Sequence, residues 1–551
     1  MSSLEFSQAT RAAALERLAR DTFDLVVVGG GINGAGIARD AAMRGMSVAV
    51  LEKDDFASGT SSRSTKLVHG GIRYLEHYAF GLVHEASIER ALLLKTAPHL
   101  VKPLSFLMPV YRGSRHGPFL INLGLWLYDA LALFRNVRNH ENLGVADFER
   151  LAPGIRSGDL LGGPLFYDAQ TDDARLTLEN LRAAHARGAV IANRARVTEF
   201  LVAGGKLRGV AAEDSLDGGA FEIRGRVVVN ATGPWSDAMR RLAQPGAPGH
   251  LRITKGVHIL LPRQKLPLVH AVVIISPIDQ RVLFAIPWED TLLVGTTDTD
   301  FEGNLDELAA EPGEVDYLLE TLVSYFPKLS IGRGDILSTY AGVRPLLAGP
   351  GANGGASAAS REHKLLEESS GLLTLVGGKL TTFRKMAQQV VDRVGTILGS
   401  EHGLRMAEKC RTAELPLRSF TAEGPQRSTP SKGPEMSPET RERISGRYPG
   451  EEARLLELLK ADPSLAEPLA PGSPHLGVEV AFACHHELAL HLEDLMVRRL
   501  SLYYRETDQG LDAAARVAAI AAPILGWTTE RVAQEQASYA SVVAASRRFR
   551  A

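Results

Sequence analysis

Gly29, Gly31 and Gly34 fall in the spacing G-x-G-x-x-G, directly after the apolar run Phe23–Val28. That spacing suits a strand turning sharply into a helix around a pyrophosphate. Gly29 permits the tight turn, Gly31 lets the backbone approach the phosphates, and Gly34 lets the helix pack on the strand. Asn33 lies inside the same turn. The helix expected over residues 35–44 is rich in small residues and stops at Gly45; its N-terminal amides and dipole face the phosphates. A second strand, 47–51, ends in Glu52, whose carboxylate would accept hydrogen bonds from ribose hydroxyls and repel a 2′-phosphate. These features in this order predict a dinucleotide site and argue against NADP. The late apolar strand Val227–Asn230, followed by Ala231-Thr232-Gly233, returns to the nucleotide as is usual in Rossmann-type proteins that bind FAD.

The elements that must position these residues divide the 551-residue chain. Alternating strand and helix patterns predict an α/β fold: a Rossmann-type FAD-binding domain with an antiparallel β-sheet substrate cap and a C-terminal all-helical domain. The oxidoreductase domain is expected over 1–410, with FAD-binding parts at about 20–95, 160–240 and 365–395 and the cap at about 96–159 and 245–364. A linker rich in Ser, Pro, Gly and Thr is expected over 411–438, and helices over 439–551.

Composition excludes several classes. Lys and Arg nearly balance Asp and Glu, for a net charge of −2, so no nucleic-acid partner is expected. Two cysteines, Cys410 and Cys484, cannot form a disulfide framework and indicate a reducing compartment. Residues 1–22 lack an apolar h-region and carry Glu5, Glu16 and Asp21, so neither a secretory signal nor a transit peptide is expected. The most apolar stretch, Pro118–Phe134, is shorter than the roughly 20 residues that span a bilayer.

Past Glu52 the chain reads Thr60-Ser61-Ser62-Arg63-Ser64-Thr65-Lys66-Leu67-Val68-His69-Gly70-Gly71-Ile72-Arg73-Tyr74-Leu75-Glu76. This block closely resembles one in FAD-dependent, quinone-linked (aerobic) glycerol-3-phosphate dehydrogenases, within the D-amino-acid-oxidase-like flavoprotein superfamily. Further matches are Asp172–Leu176, Asn230–Trp235, Lys255–His258, Ile286–Trp288 with Gly295–Asp298, Tyr340–Leu346 and Gly377–Lys385, in the family's order. A looser match surrounds Glu493–Arg499.

The resemblance implies FAD as cofactor and oxidation of sn-glycerol 3-phosphate to dihydroxyacetone phosphate. That reaction needs a hydride acceptor, a proton acceptor and a clamp on a dianionic phosphate, and arginines chelate phosphate in a bidentate way. It further implies Arg73, Tyr74 and Arg361 on the phosphate, with Arg344 and Lys379 near the reacting oxygen or the flavin. His69 is the first candidate for general base and His258 the second, since a histidine titrates near neutrality. Cofactor contacts are implied at Thr60, Ser61, Ser62, Lys66, Thr232, Gly233, Gly378, Leu380 and Thr381, besides Gly29, Gly31, Asn33, Gly34 and Glu52. A cytoplasmic enzyme bound peripherally to the inner face of the plasma membrane is implied, with quinone as acceptor and a homodimer as the family's assembly. The alternative is an oxidase that passes electrons to oxygen and releases peroxide.

Pro118–Phe134, with Arg112, Arg115 and His116 just upstream, would suit an interface with anionic lipid. Being apolar all round, it equally fits a buried core helix. His485, His486, Glu487 and His491 lack the i, i+4 histidine pair of a helical metal site and read as a solvated helix face. Trp235 and Trp288 read as packing residues.

Overall fold

Thr22–Val28 lies at the centre of an eight-stranded sheet, between Ala220–Asn230 and Val48–Leu51 and parallel to both. Leu373–Gly377 and Val190–Ala192 continue the parallel order on either side. Strands this uniformly apolar must be covered on both faces. Ile32–Met43 covers one, packed against Asp173–His185 and Phe383–His402. Its small residues allow that approach: a Cβ on Gly36 would stand 2.9 Å from the Phe383 ring. The helix starts ahead of residue 35, the expected position, because Gly31 is its N-cap and Ser61 Oγ accepts the Ile32 N–H at 2.9 Å. On the other face Phe23, Val26 and Val28 meet Leu18 and the antiparallel pair Ala195–Ala203 and Lys206–Asp214. The computed structural model describes residues 5–133, 135–348, 362–417 and 437–550, with Arg73, His77 and Glu439 by backbone alone.

The second sheet has ten strands, with Leu251–Pro262 paired along Ser338–Leu347 and against Thr291–Gly295. It is antiparallel except where Ala271–Ile275 meets Val101–Leu107 in parallel. Gly163–Thr171 belongs here, paired with Val101–Leu107, and not with the nucleotide-binding part expected over about 160–240. This strand carries the chain between sheets. It ends at Thr171, and the next residue, Asp172, accepts the Arg175 N–H as the N-cap of a helix on the nucleotide sheet.

Pro118–Leu131 is not a core helix. Only Leu125, Tyr128 and Asp129 are buried, while Phe119 is 82 % and Trp126 52 % exposed, with Leu120, Leu123 and Leu127 beside them. Uniform apolarity in the sequence hid which face turns inward.

Helices follow from Pro438–Arg447 through Gly477–His486 and Leu511–Leu525 to Thr529–Ser546. They share an apolar core with the nucleotide sheet, running from Val27 through Leu181 to Cys484, Leu495 and Val517. The polar end of Gly477–His486 is not the solvated face expected. Glu487 is fully buried, and Arg175 Nη1 reaches its carboxylate at 2.5 Å. Arg175 also holds Glu179 at 2.8 Å, and Arg182 joins Glu179 to Glu451. A charge buried this deeply must be paired, so the acid points inward to its partner.

Candidate functional site

A cavity of about 480 Å³ is lined from both sheets. Its wall includes Gly29, Gly31, Asn33 and Glu52 of the nucleotide turn together with His69, Tyr74, His258, Arg344 and Lys379. The crossover between sheets therefore brings the glycine motif and the basic residues to one space.

At the turn, Gly29 has φ +111°, and a Cβ there would stand 2.8 Å from Ala231 O. A Cβ on Gly34 would stand 1.9 Å from Gly29 O, so Gly34 seals strand against helix and does not itself line the cavity. Asn33 Oδ1 is buried without a hydrogen-bond partner. Glu52 Oε2 accepts the Gly30 N–H at 2.6 Å and Oε1 the Asp54 N–H at 2.9 Å. Burial pushes this carboxyl up to about 7, against those two donors. The glycine cradle, the unpaired Asn33 oxygen and a desolvated acid at the strand end fit FAD, whose diphosphate and ribose hydroxyls supply the missing charge and donors.

Thr60, Ser61, Thr232, Gly233, Gly378, Leu380 and Thr381 all line the cavity. Thr60 Oγ1 donates to Val343 O at 2.7 Å, tying the loop to the second sheet. Ser62 and Lys66 do not line it. The Lys66 ammonium donates to Asp173 Oδ1 at 2.6 Å, under the rings of Trp288, Tyr340 and Tyr504. A lysine committed to a buried carboxylate has no reach into the cavity. Trp288 is buried packing, as expected, but Trp235 lines the cavity with Lys53 Nζ 4.3 Å from its ring centre.

His69 is held through its backbone. Its N–H donates to Thr381 Oγ1 at 3.1 Å, and the next N–H, of Gly70, donates to Asp168 Oδ1 at 3.0 Å. Asp168 is buried and also accepts from Tyr128 Oη at 2.9 Å and from Arg90. Tyr74 lies under Lys379, whose Nζ is 3.5 Å from the ring centre. Arg344 Nη1 contacts Asp298 Oδ1 at 3.1 Å, and Nη2 donates to Thr296 Oγ1 at 3.1 Å. It can lie there because Gly256 has no Cβ, which would stand 2.6 Å from Nη2.

His258 is buried and stacks on Tyr340, with ring centres 4.7 Å apart. Its Nε2 shares a 2.9 Å hydrogen bond with Thr65 Oγ1, and its Nδ1 has no hydrogen-bond partner. Burial, then the charges of Arg344 and Lys66, hold it well below the ordinary histidine range, so the ring is neutral. The backbone of Arg73 lies in the turn Ile72–His77 beside Tyr74; Arg361 lies outside the described residues. Sequence reasoning missed Asp168, Thr65 and Tyr340 as supports, although Tyr340 stands inside a matching block. Among the described residues no cluster of three or more His, Cys, Asp and Glu could hold a metal ion.

The family described as FAD dependent oxidoreductase matches residues 24–384. The C-terminal domain of alpha-glycerophosphate oxidase matches residues 373–532. Glycerol-3-phosphate dehydrogenase 2 of Mycobacterium tuberculosis is 39 % identical over 538 residues, covering 98 % of this chain and 91 % of its own. The aerobic glycerol-3-phosphate dehydrogenase of Staphylococcus haemolyticus is 36 % identical, covering 91 % and 90 %. The structure of the glycerol-3-phosphate dehydrogenase of Bacillus halodurans complexed with FAD superposes with a TM-score of 0.78 at 30 % identity, covering 98 % of both chains.

Proposed function

Because the chain belongs to the family of FAD-dependent glycerol-3-phosphate dehydrogenases and oxidases, we propose that it oxidises sn-glycerol 3-phosphate to dihydroxyacetone phosphate and passes the electrons to a membrane quinone. The observation carrying this reading is the single cavity that joins the nucleotide turn to His69, Tyr74, Arg344 and Lys379.

FAD supplies the hydride acceptor; the protein binds, orients and moves the proton. Arg73, Tyr74 and Arg361 hold the substrate phosphate. Arg344 and Lys379 bring two cations to the same wall, where they stabilise negative charge developing on the substrate oxygen. His69 takes the hydroxyl proton. His258 ranks behind it because a ring held far below neutrality is a weak proton acceptor; its neutral form serves as a hydrogen-bonding wall beside Thr65.

Quinone as acceptor fits the exposed side of Pro118–Leu131, where Phe119, Leu120, Leu123, Trp126 and Leu127 face outward. Tyr78 and Phe80 are also exposed, and Arg112 and Arg115 lie just upstream. Apolar rings with nearby cations suit the headgroup region of an anionic bilayer. The attachment in this reading is peripheral; no helix among the described residues is long and apolar enough to cross a membrane.

An anaerobic titration of the holoenzyme with sn-glycerol 3-phosphate tests the reaction: the flavin bands bleach and dihydroxyacetone phosphate appears. An unbleached flavin refutes the substrate. Reoxidation by a quinone analogue but not by air supports the dehydrogenase, whereas rapid reoxidation by air with peroxide makes it an oxidase. For the membrane, Leu123→Glu with Trp126→Glu should release the protein from anionic vesicles; unchanged sedimentation would remove this helix from the docking surface.

A further inference from the structure

We propose that the C-terminal helices are a positioning element of the flavin site, gripping two of its walls through Arg498, Arg499 and Tyr504. The first wall is the loop after Glu52. Asp55 in that loop is fully buried, and Arg499 binds it in a bidentate way, Nη1 to Oδ2 at 2.8 Å and Nη2 to Oδ1 at 2.9 Å. Arg498 Nε adds a third contact at 2.5 Å. Burial alone would raise this carboxyl; Arg499 and Arg498 outweigh it and hold it well below the usual range.

The guanidinium groups are themselves fixed. Arg499 Nη2 donates to Glu487 O at 2.9 Å, and Arg498 Nη2 to Asp494 Oδ1 at 2.8 Å. Two residues past Asp55, the Ala57 N–H donates to Gly30 O at 3.2 Å, inside the glycine turn. A Cβ on Gly30 would meet the Phe56 ring at 2.8 Å. Fixing Asp55 thus fixes the stretch that closes on the nucleotide turn, and Ala57 through Ser61 line the cavity.

The second wall is His258. The Tyr504 ring meets Tyr340 edge-on with centres 5.5 Å apart, and Tyr340 stacks on His258. Tyr504 also packs edge-on against Trp288, and Lys66 Nζ sits 5.2 Å from its ring centre. Next to it, Tyr503 Oη donates to Thr339 O at 2.9 Å, anchoring the strand that carries Tyr340. None of these C-terminal residues lines the cavity, so each acts through another residue. The second grip rests on the reading of His258 given above; the first rests only on the FAD site.

The test compares holoenzymes carrying Arg499→Ala, Arg499→Lys, Tyr504→Leu or Tyr504→Phe. Arg499→Ala should raise the FAD dissociation constant about tenfold or more, because Asp55 loses its bidentate partner, and Arg499→Lys by less. Tyr504→Leu should keep FAD affinity within about twofold yet lower kcat per bound flavin about three- to tenfold, and Tyr504→Phe should restore it. A merely stabilising domain predicts otherwise. All four variants would then lose folded protein in proportion to Tm, with FAD affinity and turnover per flavin unchanged, and that result overturns the proposal. Should Arg499→Ala fail to fold, Arg499→Lys and Asp55→Asn make the same FAD comparison. Wild-type holoenzyme that fails to bleach with sn-glycerol 3-phosphate refutes the proposed substrate instead, and the FAD measurements still decide the grip on Asp55.

Discussion

Glu52 makes FAD affinity depend on pH, in a direction and by an amount that follow from its surroundings. Its carboxyl is pushed up to about 7 because burial disfavours the charged form more than the two backbone donors favour it. Ribose hydroxyls donating to the carboxylate favour the charged form, so binding FAD pulls the group back towards its ordinary value of 4.5. The free protein then holds more protons than the complex, binding releases a proton, and affinity rises with pH. With those two values, FAD binds about tenfold more weakly at pH 6 than at pH 8. Folding stability moves the opposite way with pH. A carboxyl raised in the folded state contributes stability that is complete below 4.5 and is lost as pH climbs through about 7. That loss is about 3 kcal/mol at pH 8.

Fluorescence titration of the apoprotein with FAD at pH 6, 7 and 8 measures the affinity. Calorimetry in two buffers of different ionisation enthalpy counts the released proton. Glu52→Gln should bind more weakly and lose the pH dependence attributable to this site. Equal affinity at pH 6 and pH 8 with no proton released would refute the reasoning, because Glu52 would then be charged before FAD arrives.

Gly34→Ala should yield protein without FAD, read from the absorbance ratio of flavin to protein, because the new methyl would stand 1.9 Å from Gly29 O and must move backbone. Arg175→Ala should cost about 3–5 kcal/mol in chemical denaturation, since it takes the 2.5 Å hydrogen bond from the buried carboxylate of Glu487 and leaves it Arg499 at 3.9 Å; a loss under about 1 kcal/mol would mean water reaches that carboxylate. Asp168→Ala should cost a similar few kcal/mol by freeing Arg90. It should also lower kcat per bound flavin, because the Gly70 N–H beside His69 loses its acceptor.

What the sequence disclosed was local or periodic. Gly29, Gly31, Gly34 and Glu52 sit on one strand–turn–helix–strand unit, so their spacing alone carries the geometry. The antiparallel cap was legible because Leu251–Pro262 and its neighbours are short apolar runs broken by turn residues. The supports of the site were not legible, because they form across long separations. Lys66 and Asp173 are 107 residues apart, and Asp55 and Arg499 are 444 apart. Nothing near Lys66 distinguishes a lysine that meets a cofactor from one that meets a buried aspartate. Glu487 failed for the same reason: charges beside histidines suggest solvent until the facing helix supplies Arg175. For Pro118–Leu131 the missing signal was asymmetry, since Leu125 is buried while Leu120, Leu123 and Leu127, equally apolar, point outward, and the buried Tyr128 and Asp129 take their partners from distant Asp168 and His140.

The seam between the C-terminal helices and the nucleotide domain is unusually ionic for a buried surface. Across it Arg175 meets Glu487, Arg182 meets Glu451, and Arg498 and Arg499 meet Asp55, each under a tenth exposed. Such pairs add little net stability over well-packed apolar side chains, since desolvation offsets most of their attraction. Apolar packing alone would have joined the two parts, as the shared core around Val27, Leu181 and Leu495 already does. What ion pairs add is orientation: a guanidinium fork meets a carboxylate in only a few geometries, whereas leucines tolerate sliding. A loop that brings Ala57 and Ser61 to the cavity wall beside the glycine turn has little tolerance for sliding. The arginines therefore stand where register matters more than energy, at Asp55 next to the cofactor turn, and the apolar core carries the stability around them.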